Sequence, residues 1–285
     1  MKNKVYLFDK DSSTPHWSYE AGNDLQTVDI SADGEYIVAG SDDNKVYLFD
    51  KDSSTPLWSY ETGNDVYDVT ISADGEYIAV ASGDFKFYLF SKGSGTPLWS
   101  YTTGNMAWSV DLTADGEYLA AGSEDGKVYL FDKDSSTPLW SYNTGDDVRT
   151  IDITEDGDYI AVGSLTDKVY LFNVGSSAPL WSYATGDYVL SVSMSSDGKY
   201  LVAGSRDDKV YTFKNSLASR PSVIPYGPRS GNEPTLPVSL QWFAGSDDRS
   251  NLTFDVYFGT NSNPTTKVAD DITAFSYTPN RGLFF

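Results

Sequence analysis

"VYLFDKDSSTPLWSYETG" occupies residues 46–63. Its first four residues are apolar and its last few pair Trp58 with Tyr60, with a polar turn between them. Asp50-x-Asp52-x-Ser54 reads as the opening of a calcium loop, the spacing up to Trp58 as part of a quinone-enzyme docking motif, and the whole as two strands joined by a turn. The rest of the chain decides between them. Trp recurs at 17, 58, 99, 140 and 181, and Asp-Gly begins at 33, 74, 115, 156 and 197. The apolar strand begins at 5, 46, 87, 128, 169 and 210, so every interval is 41 residues with no insertion. A fixed period in this range marks a repeat architecture.

One unit reads as four strands. Strand A is expected over Val66 to Ser72, with Tyr67, Val69 and Ile71 alternating against Asp68 and Thr70. Asp74-Gly75 suits a tight hairpin, because both residues tolerate positive φ. Strand B, Tyr77 to Ser82, is almost wholly apolar, as a strand covered on both faces must be. Strand C runs from Lys86 to Phe90 and strand D from Leu98 to Tyr101. Four strands in this span match the blade of a β-propeller.

The repeat resembles two propeller families. "SSDGKYLVAGSRDDKVYTF" (195–213) looks like a WD-repeat, with Phe-Asp at 8–9, 49–50 and 131–132 where that family has Trp-Asp. It lacks that family's Gly-His pair. "VYLFDKDSSTPLWSYETG" resembles the quinoprotein-type repeat. The resemblance covers residues 1–213 and implies an all-β propeller of 41-residue, four-stranded blades. Counting strands favours five blades, with the N-terminal strand D completing the last blade and one strand C left over.

The remainder differs in kind. Residues 219–285 hold five Lys/Arg and six Asp/Glu, so the first 218 carry almost all of the formal charge of −21. The expected organisation is a propeller over 1–218, a Pro/Gly/Ser-rich linker over 219–235 and a small β-sandwich-like module over 236–285. "SLQW", "LTFDVYFGT" and "FSYTP" in that module resemble a fibronectin type III-like domain of bacterial and archaeal surface proteins. About seven strands are needed for such a domain, and too few residues follow Pro279 for the last two. The expectation is therefore a fragment that starts inside a blade and stops inside a sandwich. Its unfinished strand edges would favour self-association.

Composition excludes several chemistries. There is no Cys and a single His, His16, which argues against thiolate catalysis, Cys-based zinc sites and a His-centred triad. The acidity argues against nucleic acid, and no apolar run is long enough for membrane insertion. Met1-Lys2-Asn3-Lys4 is followed only by Val5 to Phe8 before Asp9, which is not a signal peptide. The calcium reading weakens because both carboxylates are lost in Ser91-Lys92-Gly93 and Asn173-Val174-Gly175. The docking motif keeps only Asp50 and Trp58, so no cofactor is expected and Trp58 reads as packing between blades.

Variation among the copies carries the functional expectation. The A–B turn barely changes: "SADGEY", "SADGEY", "TADGEY", "TEDGDY", "SSDGKY". At the start of strand A the residue is Gln26, Tyr67, Trp108, Arg149 or Leu190. The B–C loops differ too, with Phe85 in one copy and Arg206 in another. In a propeller the B–C and D–A loops share one face, so diversity gathers there, although two C–D loops also vary. Tyr, Trp and Arg are the residue types that dominate binding hot spots. These seven residues are the expected ligand face of a non-catalytic scaffold, extracellular or on the cell surface, for a protein, peptide or glycan. The alternatives are a carboxylate-based glycosidase or lyase, needing two converging carboxylates in a pocket, and a structural spacer or self-assembling subunit.

Overall fold

In the computed structural model, residues 3–216 are described, together with 240–241, 254–258, 266–272 and 276–277. Every regular element among them is a strand. Two compact units divide the chain, Met1–Lys214 and Asn215–Phe285.

The first unit is a series of antiparallel sheets. A two-stranded sheet pairs β1 (Lys4–Phe8) with β2 (Pro15–Glu20). Four complete sheets follow, each in the order A-B-C-D. They are β3 (Leu25–Ile30), β4 (Tyr36–Ser41), β5 (Lys45–Asp50) and β6 (Trp58–Glu61); β7 (Val66–Ile71), β8 (Tyr77–Ser82), β9 (Lys86–Ser91) and β10 (Trp99–Thr102); β11 (Ala107–Leu112), β12 (Tyr118–Ser123), β13 (Lys127–Asp132) and β14 (Trp140–Asn143); and β15 (Val148–Ile153), β16 (Tyr159–Ser164), β17 (Lys168–Asn173) and β18 (Trp181–Ala184). A three-stranded sheet of β19 (Val189–Met194), β20 (Tyr200–Ser205) and β21 (Lys209–Lys214) ends the series. These are the blades of a β-propeller.

Blades stack through their apolar faces. Strand C alternates two sets of side chains: Val46 and Leu48 face the following blade, and Tyr47 and Phe49 face the preceding one. Strand B is buried on both sides, which is why it reads as a continuous apolar run. The Trp of each strand D latches onto the next blade. Trp58 lies 5.3 Å from Phe90, ring to ring, and its indole N–H donates to the carbonyl of Lys92 at 2.9 Å. Trp17, Trp99 and Trp140 repeat the bond to Lys51, Lys133 and Val174. The opening stretch is thus a turn and a latch. Its Asp50 accepts the N–H of Asp52, closing the turn between them.

The innermost strands pack in sequence: β3 on β7, β7 on β11, β11 on β15 and β15 on β19. Among the described residues, β19 does not pack back onto β3, and β2 pairs with β1 instead of β21. Four complete blades flanked by two partial ones therefore stand where strand counting favoured a five-bladed closure. Of the module expected at 236–285, the structure describes two antiparallel pairs, β22 (Leu240–Gln241) with β25 (Ser276–Tyr277) and β23 (Phe254–Phe258) with β24 (Thr266–Ile272). Its likeness to a fibronectin type III-like domain, like the linker at 219–235, otherwise lies outside the described residues.

Candidate functional site

Backbone hydrogen bonds sort the loops into two faces. The first residue of each B–C loop donates its N–H to the D–A loop: Asp42 to Asp24, Gly83 to Asp65, Glu124 to Met106, Leu165 to Asp147 and Arg206 to Tyr188, at 2.8 to 2.9 Å. The C–D loops bond to the A–B turns in the same manner, as Lys92 does to Glu76. Each face is a uniform backbone frame. On the first of them the frame holds five different side chains.

Those side chains sit on β-bulges. In every A strand the pairing skips one residue: between Leu25 and Thr27, Val66 and Asp68, Ala107 and Ser109, Val148 and Thr150, and Val189 and Ser191. The skipped residues are Gln26, Tyr67, Trp108, Arg149 and Leu190. A bulge resets the side-chain alternation and re-aims the extra residue. Tyr67 was expected to share the side of Val69 and Ile71, and the bulge corrects that: Val66, Val69 and Ile71 are buried while Tyr67 is half-buried at the loop face. The signal lay in the sequence as two apolar residues three apart, Val66 and Val69, where strict alternation allows only even spacings.

Three of the five form one stack. The rings of Tyr67 and Trp108 are 4.4 Å apart, and the Arg149 guanidinium lies 3.8 Å from the Trp108 ring centroid. Arg149 also pairs with Glu124 at 2.9 Å and Asp147 at 2.8 Å. Tyr67 reaches Met106 through its hydroxyl, and it lies so close over Gly83 that a Cβ there would meet the ring at 3.1 Å. Gly83, where the other copies carry Asp42, Glu124, Leu165 and Arg206, leaves the ring that room. Gln26 stands apart from the stack and donates to Asp42 at 2.6 Å. Leu190 is exposed, and Arg206 lies over Tyr188 at 5.8 Å. Phe85 projects from its B–C loop, 41% exposed, on a left-handed backbone with φ of 70°.

The rim is acidic. Burial and then the neighbouring Asp42 charge raise the Asp65 carboxyl above its ordinary range. Asp42 Oδ1 is buried without a hydrogen-bond partner among the described residues. Burial, with Asp65, Glu124 and Asp42 nearby, also raises the Tyr67 phenol, so it stays protonated. Sequence reading did not nominate Asp42, Asp65 or Glu124, because acidic residues are too frequent in this chain to single any out.

Towards the A–B turns, carboxylates of the A strands clamp successive blades. Asp29 accepts the N–H of Ile71, Asp68 that of Val110, Asp111 that of Ile153 and Asp152 that of Met194. The Asp111 and Asp152 carboxyls are buried neighbours on adjacent blades. Burial and then the Asp152 charge push Asp111 well above the carboxylate range, and burial raises Asp152 as well. Both line a cavity of about 220 Å³, and Asp111 also lines one of about 280 Å³, each beside the A–B turns and away from the bulges.

No curated protein matches the chain. A family model described as outer membrane protein assembly factor BamB matches residues 1–216, the span that folds into blades. That match agrees with the quinoprotein-type character of the repeat. The chain belongs to the family described as outer membrane protein assembly factor BamB.

Proposed function

We propose that this chain is a non-catalytic scaffold of the cell envelope that binds a protein partner on the bulge face. The observation that carries the reading is the contrast between faces. An identical backbone frame presents Gln26, Tyr67, Trp108, Arg149 and Leu190 on one side, and nearly constant A–B turns on the other. The five copies all differ at the bulge position, while their A–B turns barely change. The family description, an outer membrane assembly factor, supports an envelope setting and a protein partner. No cofactor enters this reading.

The chemistry of the face specifies the partner. The Tyr67–Trp108–Arg149 stack and exposed Phe85 offer an apolar and aromatic centre, and Asp42, Asp65, Glu124 and Asp147 surround it with negative charge. A partner segment with an apolar anchor flanked by Lys or Arg complements it. Asp111 and Asp152 each accept a backbone N–H of the next blade, which favours a clamp over glycosidase or lyase chemistry.

The test uses a partner isolated by crosslinking in envelope extracts and then purified. Its affinity is measured for the native chain and for a Tyr67→Ala/Trp108→Ala/Arg149→Ala variant. Loss of about tenfold or more, with binding weakened by salt, is expected. Undiminished affinity of the variant would sink the reading. Glu35→Ala/Glu76→Ala on the other face is expected to leave binding intact.

A further inference from the structure

The two outermost partial blades expose opposite halves of one repeated junction. Between complete blades, Val38 and Val46 of one blade bury against Val69 and Ile71 of the next. In the three-stranded sheet β19–β21 the equivalents of Val38 and Val46 are Val202 and Val210, which are 40% and 73% exposed. At the other end the equivalents of Val69 and Ile71, 4% and 7% exposed, are Val28 and Ile30, which are 59% and 50% exposed. Contiguous apolar surface of this kind calls for a cover.

We propose that a second copy of this chain provides that cover, docking head to tail so that its β2 pairs with the open edge of β21 in place of its own β1.

Three observations fix the occupant. The first is strand chemistry. In β5, β9, β13 and β17 the pattern Lys-Val/Phe-Tyr-Leu-Phe pairs with a Trp-Ser-Tyr strand, as Val46 with Tyr60 and Leu48 with Trp58. The same pattern recurs in β21 as Lys209-Val-Tyr-Thr-Phe213, and its outer edge has no partner strand among the described residues. Meanwhile β2 carries Trp17-Ser18-Tyr19 and pairs with β1 in the corresponding register, Val5 with Tyr19 and Leu7 with Trp17. Exchanging β1 for β21 replaces ladder hydrogen bonds one for one, and the buried area gained at Val28, Ile30, Val202 and Val210 drives it.

The second is a socket. Built onto Gly40, Gly122 or Gly163, a Cβ would come within 2.5 to 2.7 Å of Val66, Val148 or Val189 of the following blade. At Gly204 the nearest atom is the Ser191 hydroxyl of its own blade, 3.4 Å away. The socket that elsewhere takes a branched aliphatic residue is open there, and Leu25 is the residue a second copy brings to it. The third is that β19 does not pack onto β3 within one chain among the described residues, so the two half-junctions do not satisfy each other.

Such an interface is heterologous: each copy uses one surface to give and another to receive. Light scattering or sedimentation of the full 285-residue chain tests it. The mass is expected to rise with concentration from one chain to two or more. Ile30→Lys spoils only the giving end and Val202→Glu only the receiving end; both positions are exposed, and circular dichroism checks that both variants fold. Each variant alone is expected to remain monomeric, while their mixture forms a one-to-one dimer through the two intact ends. Removing residues 1–8, and β1 with them, is expected to strengthen association of the native chain. A native chain that stays monomeric at every concentration with or without residues 1–8, or single variants that associate as the native chain does, would overturn the proposal.

Discussion

Phe85 holds a φ of 70° that suits Gly or Asn far better than an aromatic residue. Asn44, Gly126, Asp167 and Asp208 stand at the same loop position with positive φ, so the turn itself demands it in every blade. An exposed Phe kept in that conformation costs about 1 kcal/mol. Phe85→Asn is therefore expected to stabilise the fold by about that amount, read as a higher urea midpoint, while weakening partner binding. An unchanged midpoint would show that the turn is not strained. Asp68 makes the opposite kind of contribution. Burial raises its carboxyl from 3.8 to about 6, against the hydrogen bonds from Val110, Ser109, Thr27 and Val69 that lower it. The folded state thus holds a proton that the unfolded state releases. Stability is gained as the pH falls from about 6 towards 4 and lost as it rises through 6. The difference between pH 4 and pH 7.5 is up to about 3 kcal/mol for this group. Denaturation midpoints against pH should show that slope for the native chain, and a shallower one for Asp68→Asn.

Elements were legible in the sequence to within a residue: the strand expected at Tyr77 to Ser82 is β8, and that expected at Val66 to Ser72 is β7. Periodic apolar spacing and the Asp-Gly turn carry that much information. The bulge was missed because Tyr67, Val69 and Ile71 alternate plausibly on their own, and only the burial of Val66 breaks the pattern. The positions Gln26 to Leu190 were found by comparing copies, and their shared geometry came only from the ladder register. Packing between sheets is also written in matched pairs. Gly122 faces Val148, and in the second blade Ala81 stands at the Gly122 position while Ala107 stands at the Val148 position. Gly122→Ala would bring a methyl within 2.5 Å of Val148 Cγ1 and is expected to cost about 1–3 kcal/mol. Adding Val148→Ala recreates the natural pair and should recover much of that loss. A double-mutant cycle with no coupling would contradict the socket.

Across the whole molecule, the repeat fixes the blades but not the ring. Lys4–Phe8 and Lys209–Lys214 both have strand C chemistry, so a strand count cannot say which one strand D will join. The structure resolves it locally, with β2 on β1, and leaves the apolar faces of the outer blades uncovered. The scaffold is otherwise redundant: Trp latches and Asp clamps recur at each junction and the Gly–Val socket at three of them, and single substitutions in them should weaken folding without changing what is bound. Binding is assigned to the one place where the copies disagree. The most direct measurement is a crosslinking map, with a photoreactive residue placed singly at 26, 67, 108, 149 and 190 on the bulges and at 35, 76 and 117 in the A–B turns. The account predicts that the partner is captured from the bulge positions and not from the turns. Capture from the turn positions with nothing from the bulges would contradict it.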